Sequence, residues 1–301
     1  MDFSGKNLLR IRGMTRGELE GLFKAADRMA PVAREKRGLK SLDGQVLANL
    51  FFESSTRTRF SFDTAMLRLG GSVIGFSGGA GTSLDKGESF EDTIKMVEQY
   101  ANGIVIRHPE PGAAARAAEV ASIPIINAGD GHNEHPTQAI LDTYTISREK
   151  SLDGIKVLIT GDLKYGRTVH SLAYALSLFD SVELQLFAPP ELSFPQEILD
   201  EISGKVKITQ LDSFDVSSAD VVYATRIQKE RLANPADAKE YVYRIDAATM
   251  EEMKPDAMLM HPLPRVGEIA EAVDSDPRAA YFREAANGLP VRMALLEEIL
   301  G

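Results

Sequence analysis

Short apolar runs alternate with segments of helical periodicity along almost the whole chain. Apolar runs of this length predict strands that are buried on both faces of a parallel sheet, and the segments between them predict the covering helices. We therefore expect an α/β fold with two doubly wound parallel-sheet domains. The predicted strands are 45–52, 72–76, 103–106, 123–126, 155–160, 182–188, 206–209, 221–224 and 258–260.

The helical segments have recognisable starts. Thr15 and Glu18 are spaced as a capping box, which predicts a first helix that ends near Met29. Residues 291–300 have the periodicity of an amphipathic helix. The other predicted helices are 62–69, 91–100, 113–121, 136–148, 168–179 and 195–202.

At 301 residues the chain is long enough for about two domains of ordinary size. The least structured boundary lies near 149–154. This predicts one domain over residues 1–148 and a second over 149–286. We expect the C-terminal helix, 287–301, to pack back on the first domain.

Composition excludes several classes of protein. The formal net charge of −10 argues against a general nucleic-acid binder, which needs a basic surface. No run approaches the ~20 apolar residues of a membrane span, and the first residues lack the apolar core of a signal peptide. We therefore expect no membrane partner and a cytoplasmic location. Because the chain has no cysteine, it can form no disulfide, thiolate nucleophile or thiolate metal site.

Residues 51–62, FFESSTRTRFSF, form the most unusual stretch, where a predicted strand ends and a predicted helix begins. A helix start exposes unpaired backbone N–H groups and the positive end of the helix dipole, which suit an anion. Ser55, Thr56 and Thr58 add hydroxyl donors, and Arg57 adds a planar fork that matches phosphate oxygens. One hydroxyl would suffice for an N-cap. The stretch therefore predicts an anion site, with an over-polar helix cap as the alternative.

The other polar clusters also follow predicted strands. In open α/β sheets, ligands bind beyond the carboxyl ends of the strands, and the arginines in these clusters indicate a multiply anionic ligand. There is no convincing catalytic carboxylate pair, Ser-His-Asp order, P-loop, dinucleotide-binding glycine motif or metal-ligand spacing, so we expect neither a metal nor a cofactor. The clusters are 55–59, 107–108, 135–138, 167–168, 226–228 and 261–265.

Five of these segments resemble the aspartate/ornithine carbamoyltransferase family, and the resemblance runs from about residue 8 to residue 296. The first two are similar to the family's two carbamoyl-phosphate signatures, and the last three to its aspartate branch. The ornithine branch is expected to have a His-Cys-Leu-Pro turn, and this chain has no cysteine. The segments are STRTR at 55–59, HPTQ at 135–138, GDLKYGRTVHS at 161–171, TRIQKER at 225–231 and HPLPR at 261–265.

The resemblance implies a catalytic chain that transfers the carbamoyl group of carbamoyl phosphate to L-aspartate. The products are N-carbamoyl-L-aspartate and phosphate, and the reaction belongs to de novo pyrimidine (UMP) biosynthesis. The resemblance assigns the domain 1–148 to carbamoyl phosphate and the domain 149–286 to aspartate. It places the active site in the cleft between the two domains, which close around both substrates.

The resemblance also implies roles for residues on the carbamoyl-phosphate side. Thr58, Arg107 and His135 contact the carbonyl oxygen, where negative charge builds during attack by the amine. Gln138 and the backbone carbonyls of Leu263 and Pro264 orient the carbamoyl amino group. The implied catalytic residues are Arg57, Thr58, Lys86, Arg107 and His135. The implied carbamoyl-phosphate contacts are Ser55, Thr56, Arg57, Thr58, Ser83, Arg107, His135, Gln138, Pro262, Leu263 and Pro264.

On the acceptor side, Arg167 and Arg226 suit the two carboxylates of L-aspartate, because a guanidinium binds a carboxylate through two hydrogen bonds. Gln228 lies near Arg226 in the sequence, and Lys86 completes the implied aspartate contacts. No side chain is an obvious general base for the amine. The departing phosphate could take the proton.

The loop that carries Ser83 and Lys86 implies an assembly. In the family this loop reaches the neighbouring subunit's site, so the resemblance implies a homotrimer with shared sites. The loop here is shorter than the commonest bacterial form, and Lys86 is aligned with the functional lysine because it precedes Gly87 and Glu88. A separate regulatory chain, in a dodecamer of two trimers and three regulatory dimers, is a further possible partner.

Two alternatives stay open beside aspartate carbamoylation. One is a carbamoyltransferase for another amine acceptor such as ornithine, which segments 225–231 and 261–265 argue against. The other is a non-catalytic chain that binds anions or serves in assembly. That alternative predicts loss of Arg57, Arg107 or His135, and the chain has all three.

Overall fold

The computed structural model describes residues 3–78, 83–228 and 243–301, and the chain divides into two compact units. Unit 1 comprises Met1–Leu141 and Asn287–Gly301, and unit 2 comprises Asp142–Ala286. Each unit contains a parallel sheet flanked by helices, which confirms the predicted fold class.

The first part of the chain forms the sheet of unit 1. Its strands are parallel and lie in the order β2-β1-β3-β4. The elements are α1 (Arg16–Arg34), β1 (Val46–Phe51), α2 (Thr56–Arg68), β2 (Ser72–Ser77), a 3-10 helix (Ser83–Lys86), α3 (Phe90–Val97), β3 (Gly103–His108), α4 (Ala113–Val120), β4 (Ile125–Asp130) and α5 (Pro136–Ser147).

The second part forms the sheet of unit 2. Its strands are also parallel, in the order β7-β6-β5-β8-β9. The elements are β5 (Lys156–Thr160), α6 (Arg167–Leu176), β6 (Glu183–Phe187), a 3-10 helix (Pro190–Leu192), α7 (Gln196–Ile202), β7 (Lys207–Gln210), β8 (Val221–Ala224), α8 (Ala247–Glu252), β9 (Met258–Met260), a 3-10 helix (Glu271–Ser275) and α9 (Tyr281–Leu300).

Each sheet has one point where the strand order reverses direction. In unit 1 the chain adds β2 on one side of β1 and then β3 and β4 on the other, so the reversal lies between β1 and β3. In unit 2 it lies between β5 and β8. In doubly wound sheets, ligands bind beyond the carboxyl ends of the strands at such a point. The topology therefore directs attention to the loops that follow these four strands.

The apolar strands form the cores, as the sequence predicts. In unit 1, Ala48 and Leu50 of β1 pack with Ile104 and Ile106 of β3, and all four are buried. In unit 2, buried residues of β5, β8 and β9 pack together in the same way. Strand β2 differs, because it is an edge strand whose residues are all exposed or half-buried.

Several boundaries differ from the sequence predictions. The capping box of α1 is confirmed, but the helix continues past Met29 to Arg34 and includes Pro31. Met29 and Val32 are both buried, so packing outweighs the hydrogen bond that proline cannot donate. Helix α8 follows no strong sequence signal and was not predicted.

The C-terminal helix is the largest difference. It begins at Tyr281 rather than near residue 291, and it contains both Gly288 and Pro290. These residues normally argue against a helix interior. Gly288 has a packing reason, because a Cβ atom there would lie 2.5 Å from the guanidinium of Arg292. Packing therefore explains a glycine that the sequence alone presents as a helix breaker.

Among the described residues, no helix is both long and apolar enough to cross a membrane. The same part of the chain contains no cluster of three or more histidine, aspartate or glutamate side chains arranged to hold a metal ion.

Candidate functional site

The first site segment is the start of α2, directly after β1. Ser55 is the N-cap residue with an extended backbone, and its side chain makes no capping hydrogen bond. The hydroxyl is therefore not used to complete the helix, which argues against the alternative of an over-polar cap. Thr56, Arg57 and Thr58 form the first turn, which contains no acidic residue. This turn can offer backbone N–H groups and hydroxyls to an anion.

Arg57 has the electrostatics of an anion-binding side chain. The side chain as a whole is exposed, but its guanidinium is partly desolvated, and this desolvation alone lowers the pKa of Arg57. By contrast, Arg59 on the same helix lies 3.6 Å from the carboxylate of Asp63. Asp63 supplies an opposite charge to Arg59. A bound anion would supply an opposite charge to Arg57.

Arg107 of β3 lies beside the end of β1. It is the register partner of Phe51, and its backbone carbonyl accepts a hydrogen bond of 2.8 Å from the N–H of Phe52. The Nε atom of Arg107 is 3.2 Å from Glu53, and the Nη1 atom donates to the carbonyl of Ala128 at 3.3 Å. These contacts fix the guanidinium at the point where the strand order reverses.

The loop after β4 carries His135 and Gln138, and Asp130 organises this loop. The carboxylate of Asp130 accepts hydrogen bonds from the N–H of Gly112 at 2.8 Å and from the amide group of Asn127 at 2.8 Å. His135 is buried, and its Nδ1 atom lies 3.4 Å from the hydroxyl of Thr137. His135 directly precedes α5 and Gln138 belongs to its first turn, where the N–H of Gln138 donates to the carbonyl of His135 at 3.0 Å.

Glu134 holds the same loop from the other side. Its Oε2 atom accepts a hydrogen bond of 2.6 Å from the N–H of Ile11, and the N–H of Arg12 also donates to its carboxylate. Burial raises the pKa of Glu134 to about 6, because the hydrogen bonds offset only part of the desolvation of its charge. The residue before His135 is thus fixed to the N-terminal segment of unit 1.

The parallel register brings these loops to one edge of the sheet. Phe51 is paired with Arg107, and His108 is paired with Asp130. The loops after β1, β3 and β4 therefore follow one another along the carboxyl edge. The site residues that unit 1 brings to this edge are Ser55, Thr56, Arg57, Thr58, Arg107, His135 and Gln138.

His108 is not part of this set. Its Nδ1 atom accepts from the N–H of Glu110 at 3.0 Å, and its ring packs against Phe52 and Phe90. Burial is the largest effect on its ionisation and lowers the pKa of His108. These contacts give His108 a structural role.

Ser83 and Lys86 belong to a separate segment of unit 1, between β2 and α3. They form the ends of the 3-10 helix that follows the edge strand β2, and the Lys86 side chain is exposed. Residues 79–82 of the same loop lie outside the described residues. In the described part of the chain, no hydrogen bond or ion pair joins Lys86 to Arg57, Arg107 or His135.

In unit 2, the loops after β5 and β8 are hydrogen-bonded to each other through Asp162. This buried carboxylate accepts from the N–H of Tyr165 at 2.9 Å and from the N–H of Gln228 at 3.2 Å. The side-chain amide of Gln228 donates to the carbonyl of Tyr165 at 3.0 Å and to Asp162 at 3.4 Å. Gln228 therefore joins the two loops. Its carboxamide oxygen carries no hydrogen, so it can only accept a hydrogen bond.

Two further residues hold this pair of loops together. Gly161 has a φ of +114°, and a Cβ atom there would collide with the carbonyl of Thr225. The hydroxyl of Tyr243 donates to the carbonyl of Thr225 at 2.5 Å and to that of Thr160 at 3.3 Å. The close approach of the two strand ends thus requires a glycine.

The two arginines of unit 2 follow these strands. Arg167 is the first residue of α6 and is buried, with 7% of its surface exposed, and Arg226 is half-buried just beyond β8. Because β5 and β8 are neighbours in the sheet, both arginines lie at the carboxyl edge where the strand order reverses. Residues 229–231 of the TRIQKER segment lie outside the described residues.

The turn after β9 forms the next part of this edge. His261 is buried, and its Nδ1 atom accepts from the N–H of Leu263 at 2.8 Å. Its Nε2 atom lies 2.7 Å from Glu268, so the ring proton lies on Nε2 and is donated to that carboxylate. His261 therefore shapes the turn that carries Pro262, Leu263 and Pro264. Leu263 has a φ of +55°, which few residues other than glycine adopt.

Sequence reasoning overlooked the residues that hold these loops. None of Asp162, Tyr243 and Glu134 is a predicted ligand contact. Asp162 and Tyr243 are hydrogen-bonded to backbone groups of the unit 2 loops. Glu134 belongs to the loop after β4 and accepts from the backbone of Ile11. For Asp162 a signal was present, because it is an acidic residue directly after a predicted strand. For Glu134 and Tyr243 the partners lie far away in the sequence, at Ile11 and Thr160.

Comparison with known families covers nearly the whole chain. Residues 6–148 match the aspartate/ornithine carbamoyltransferase, carbamoyl-P binding domain. Residues 153–299 match the aspartate/ornithine carbamoyltransferase, Asp/Orn binding domain.

Individual relatives are similar over their full length. The aspartate carbamoyltransferase catalytic subunit of Thermococcus onnurineus is 50% identical over 310 aligned positions, which cover 100% of this chain and 99% of the relative. The crystal structure of aspartate transcarbamoylase from Trypanosoma cruzi with carbamoyl phosphate and aspartate is 40% identical, with a TM-score of 0.95, and the match covers 99% of this chain and 98% of the other. The complex of the same Trypanosoma cruzi enzyme with carbamoyl aspartate and phosphate is 41% identical, also with a TM-score of 0.95, and covers 99% and 97%.

Proposed function

The chain belongs to the aspartate/ornithine carbamoyltransferase family, and we propose that it transfers the carbamoyl group of carbamoyl phosphate to the amine of L-aspartate. The products are N-carbamoyl-L-aspartate and phosphate, in de novo pyrimidine (UMP) biosynthesis. The observation that carries the proposal is the 50% identity, over the whole chain, with an aspartate carbamoyltransferase catalytic subunit. The positions of the anion-binding side chains at both sheet edges support it.

Unit 1 is the carbamoyl-phosphate domain in this proposal. The phosphate binds at the start of α2, where Ser55, Thr56, Arg57 and Thr58 supply hydroxyls, backbone N–H groups and a guanidinium. The uncapped Ser55 hydroxyl and the desolvated Arg57 support this role. Charge-assisted hydrogen bonds from arginine to phosphate are about twice as strong as neutral ones.

The carbonyl oxygen of the carbamoyl group is held by Thr58, Arg107 and His135. Attack by the amine places negative charge on this oxygen, and donors fixed in advance stabilise that charge without further reorganisation. Each such donor contributes about 3 kcal/mol to the transition state. The fixed position of Arg107 and the burial of His135 support the assignment.

The carbamoyl amino group is a hydrogen-bond donor, so it needs acceptors. Gln138 and the backbone carbonyls of Leu263 and Pro264 provide them, with Pro262 in the same turn. Ser83 completes the proposed contacts with carbamoyl phosphate. These residues orient the carbonyl carbon for attack, which is the part of catalysis that positioning supplies.

Aspartate is held through its two carboxylates by Arg167 and Arg226, with Gln228 and Lys86 beside them. The proximity of both arginines to one sheet edge supports a dicarboxylate ligand. The amine loses a proton as the C–N bond forms, and the departing phosphate accepts it. No metal or cofactor takes part.

The direct test supplies carbamoyl phosphate with L-aspartate, with L-ornithine or with buffer alone and measures the carbamoylated product. We expect product with aspartate only. Product with ornithine and none with aspartate would replace this proposal with the alternative acceptor. No transfer to either amine, together with intact phosphate binding, would support the non-catalytic alternative.

We also propose a cytoplasmic homotrimer in which Lys86 and Ser83 serve a neighbouring subunit's site. Strand β2 supports an interface, because strands of parallel sheets are normally covered, whereas this one is open. Phe60 and Leu67 of the adjacent α2 and Ile74 of β2 are exposed by 62%, 61% and 40%. A second copy of the chain would cover these apolar side chains. A regulatory chain, in a dodecamer of two trimers and three regulatory dimers, is an additional proposed partner.

Mixing two inactive variants tests the shared site. Lys86→Gln and Arg57→Ala subunits are unfolded together, refolded and assayed. If sites are shared around a ring, random mixing restores about a quarter of them. The control is each variant refolded alone. A mixture as inactive as its components would contradict the shared site.

A further inference from the structure

Two carboxyl groups lie together in the interior of unit 2. Asp142 of α5 and Glu284 of α9 are almost completely buried, with 0% and 1% of their surfaces exposed, and their side chains are hydrogen-bonded to each other. Neither belongs to the proposed contacts with substrate. A carboxylate cannot donate a hydrogen bond, so a hydrogen bond between two carboxyl groups requires that one of them carries a proton.

The neighbours of the pair determine which oxygen accepts from which donor. The hydroxyl of Tyr223 on β8 donates to Oδ2 of Asp142 at 2.8 Å, and the N–H of His261 donates to Oε2 of Glu284 at 2.8 Å. With the proton on Glu284, Asp142 accepts from both Tyr223 and Glu284, and Glu284 accepts from His261. With the proton on Asp142, only the hydrogen bond between the two carboxyl groups reverses its direction. In both arrangements each of these hydrogen bonds has one donor and one acceptor.

Electrostatics agrees with a protonated Glu284. Burial first, and then the like charge of Asp142, raise the pKa of Glu284 well above its ordinary value. The pKa of Tyr223 is also raised, by burial and then by Asp142 and Glu284, so the phenol stays a donor. The groups that face the pair include the hydroxyl of Tyr223 from β8, which Thr168 of α6 also contacts, and the backbone of His261 after β9.

The pair reaches the proposed site through one residue. His261 is held by its backbone N–H to Glu284, and its ring accepts the N–H of Leu263 at 2.8 Å. Leu263 has an unfavourable positive φ, so its conformation depends on such contacts. Glu284 therefore acts on the orientation of the Leu263 and Pro264 carbonyls without touching a ligand.

We propose that Asp142 and Glu284 share one proton and that this hydrogen-bonded pair is a positioning device for the turn that carries Leu263 and Pro264. The catalytic part of this inference rests on the proposed carbamoyl transfer, whereas the shared proton does not. Ionisation of the pair would place two negative charges side by side in the interior, and the turn would lose its fixed support.

Thermal unfolding as a function of pH tests the shared proton. A carboxyl group whose pKa is raised by folding stabilises the native state at low pH, and this contribution is lost as the pH rises through the folded-state pKa. Glu284→Gln keeps one donor and one acceptor but cannot ionise. We expect the midpoint of Glu284→Gln to rise relative to the wild type as the pH increases above the ordinary pKa of a glutamate, because the folded-state pKa of Glu284 is raised. Glu271→Gln, which removes an exposed carboxylate of unit 2, is the control for net charge.

Two further readouts make the result decisive. The infrared carbonyl band of a protonated carboxyl group should be present in the wild type and absent in Glu284→Gln. Asp142→Asn should also remove the pH-dependent contribution of the pair to the thermal midpoint. The double variant, Asp142→Asn with Glu284→Gln, should change this pH dependence no further, because both substitutions act on one proton. A midpoint difference that does not vary with pH, or an unchanged infrared band, would overturn the shared proton.

The positioning role is tested by activity well below the unfolding midpoint. We expect Glu284→Ala to raise the KM for carbamoyl phosphate at least about tenfold, and Glu284→Gln to restore it to within about threefold of the wild type. Equal activity of the alanine and glutamine variants would overturn the positioning role. If the wild type showed no carbamoyl transfer, the proposed function would fail, while the unfolding and infrared results would still test the shared proton.

Discussion

In unit 1 the proposed ligand donors stand at the start of a helix, whereas in unit 2 they follow loops that are already hydrogen-bonded to one another. The Ser55 hydroxyl makes no capping bond, and the Arg57 guanidinium is desolvated and has no opposite charge beside it among the described residues. In unit 2, Asp162 and Gln228 join the loops that precede Arg167 and follow β8. Unit 1 thus presents groups that only a ligand completes, while unit 2 presents a framework that is complete before a ligand binds.

This difference follows from what each ligand group requires. A phosphate offers several oxygens in a compact group, and one helix start can supply most of the donors. A dicarboxylate needs two guanidinium groups at a fixed separation, and these arginines come from two different strands. The two strand ends must therefore be held together. Substitutions of the proposed phosphate donors in unit 1 should accordingly reduce activity alone, and those of the residues that join the loops of unit 2 should reduce activity and stability together.

The largest expected effect is that of Arg57→Ala. We expect kcat/KM to fall by about 10²–10³, because a charged donor to the phosphate and the transition state is lost. The thermal midpoint should be unchanged or higher, since folding lowers the pKa of this arginine and so disfavours its charge. Arg59→Ala, on the same helix but paired with Asp63, is the control and should change kcat/KM by less than about threefold. A large loss of stability in Arg57→Ala would contradict the contrast between the units.

Gly161→Ala should affect unit 2 in both respects. The added methyl group would meet the carbonyl of Thr225 in a backbone conformation with φ at +114°, so we expect a loss of about 3 kcal/mol in unfolding free energy. The KM for aspartate should rise, because the loops before Arg167 and Arg226 separate. Gly154→Ala is a matched control, since its φ is +76° but nothing lies near its Cβ position. It should cost only about 1 kcal/mol. Denaturant unfolding would measure both values.

Glu134→Gln tests a buried acid of unit 1 in the way that Glu284→Gln tests one of unit 2. Burial raises the pKa of Glu134 to about 6, so the wild type is most stable, relative to the glutamine variant, at low pH. As the pH rises from about 4.5 to about 7, the wild type should lose about 2 kcal/mol relative to Glu134→Gln, whose amide oxygen still accepts from Ile11. Glu119→Gln, at an exposed position of α4, is the control. A difference that is independent of pH would mean that folding does not raise the pKa of Glu134.

Tyr243→Phe should have the smallest effect. It removes the hydroxyl that donates to the carbonyls of Thr225 and Thr160, at a cost of about 1 kcal/mol. The loss should appear in unfolding free energy and in the KM for aspartate, with the KM for carbamoyl phosphate unchanged. An equal change in both KM values would show that the Tyr243 hydroxyl affects more than the loops of unit 2.

The family and the fold class could be predicted from the sequence, and both are confirmed. Strands could be located because parallel strands buried on both faces are continuous apolar runs, as in β5 and β8. The candidate site segments followed, since the carboxyl ends of parallel strands lie on one edge. The roles of individual residues at that edge, and the domain assignment to each substrate, remain predictions.

The rest could not be read from local sequence, for identifiable reasons. Helix α9 contains Gly288 and Pro290, which local sequence presents as helix breakers, and yet the helix continues through both. The pairing of Asp142 with Glu284 joins residues of two different helices, and no short pattern brings them together. Buried acids of this kind are visible only when long-range contacts are known, and here they support the loops rather than bind ligands.

In the proposed function, the two halves of the chain together direct a carbamoyl group to aspartate. A single competition reaction tests it most directly: the wild-type protein with carbamoyl phosphate that carries ¹³C in its carbamoyl group, and equal concentrations of L-aspartate and L-ornithine. Mass spectrometry then identifies the labelled product. We predict labelled N-carbamoyl-L-aspartate with no labelled carbamoyl-ornithine. Label on ornithine, or on neither amine while phosphate still binds, would contradict the account.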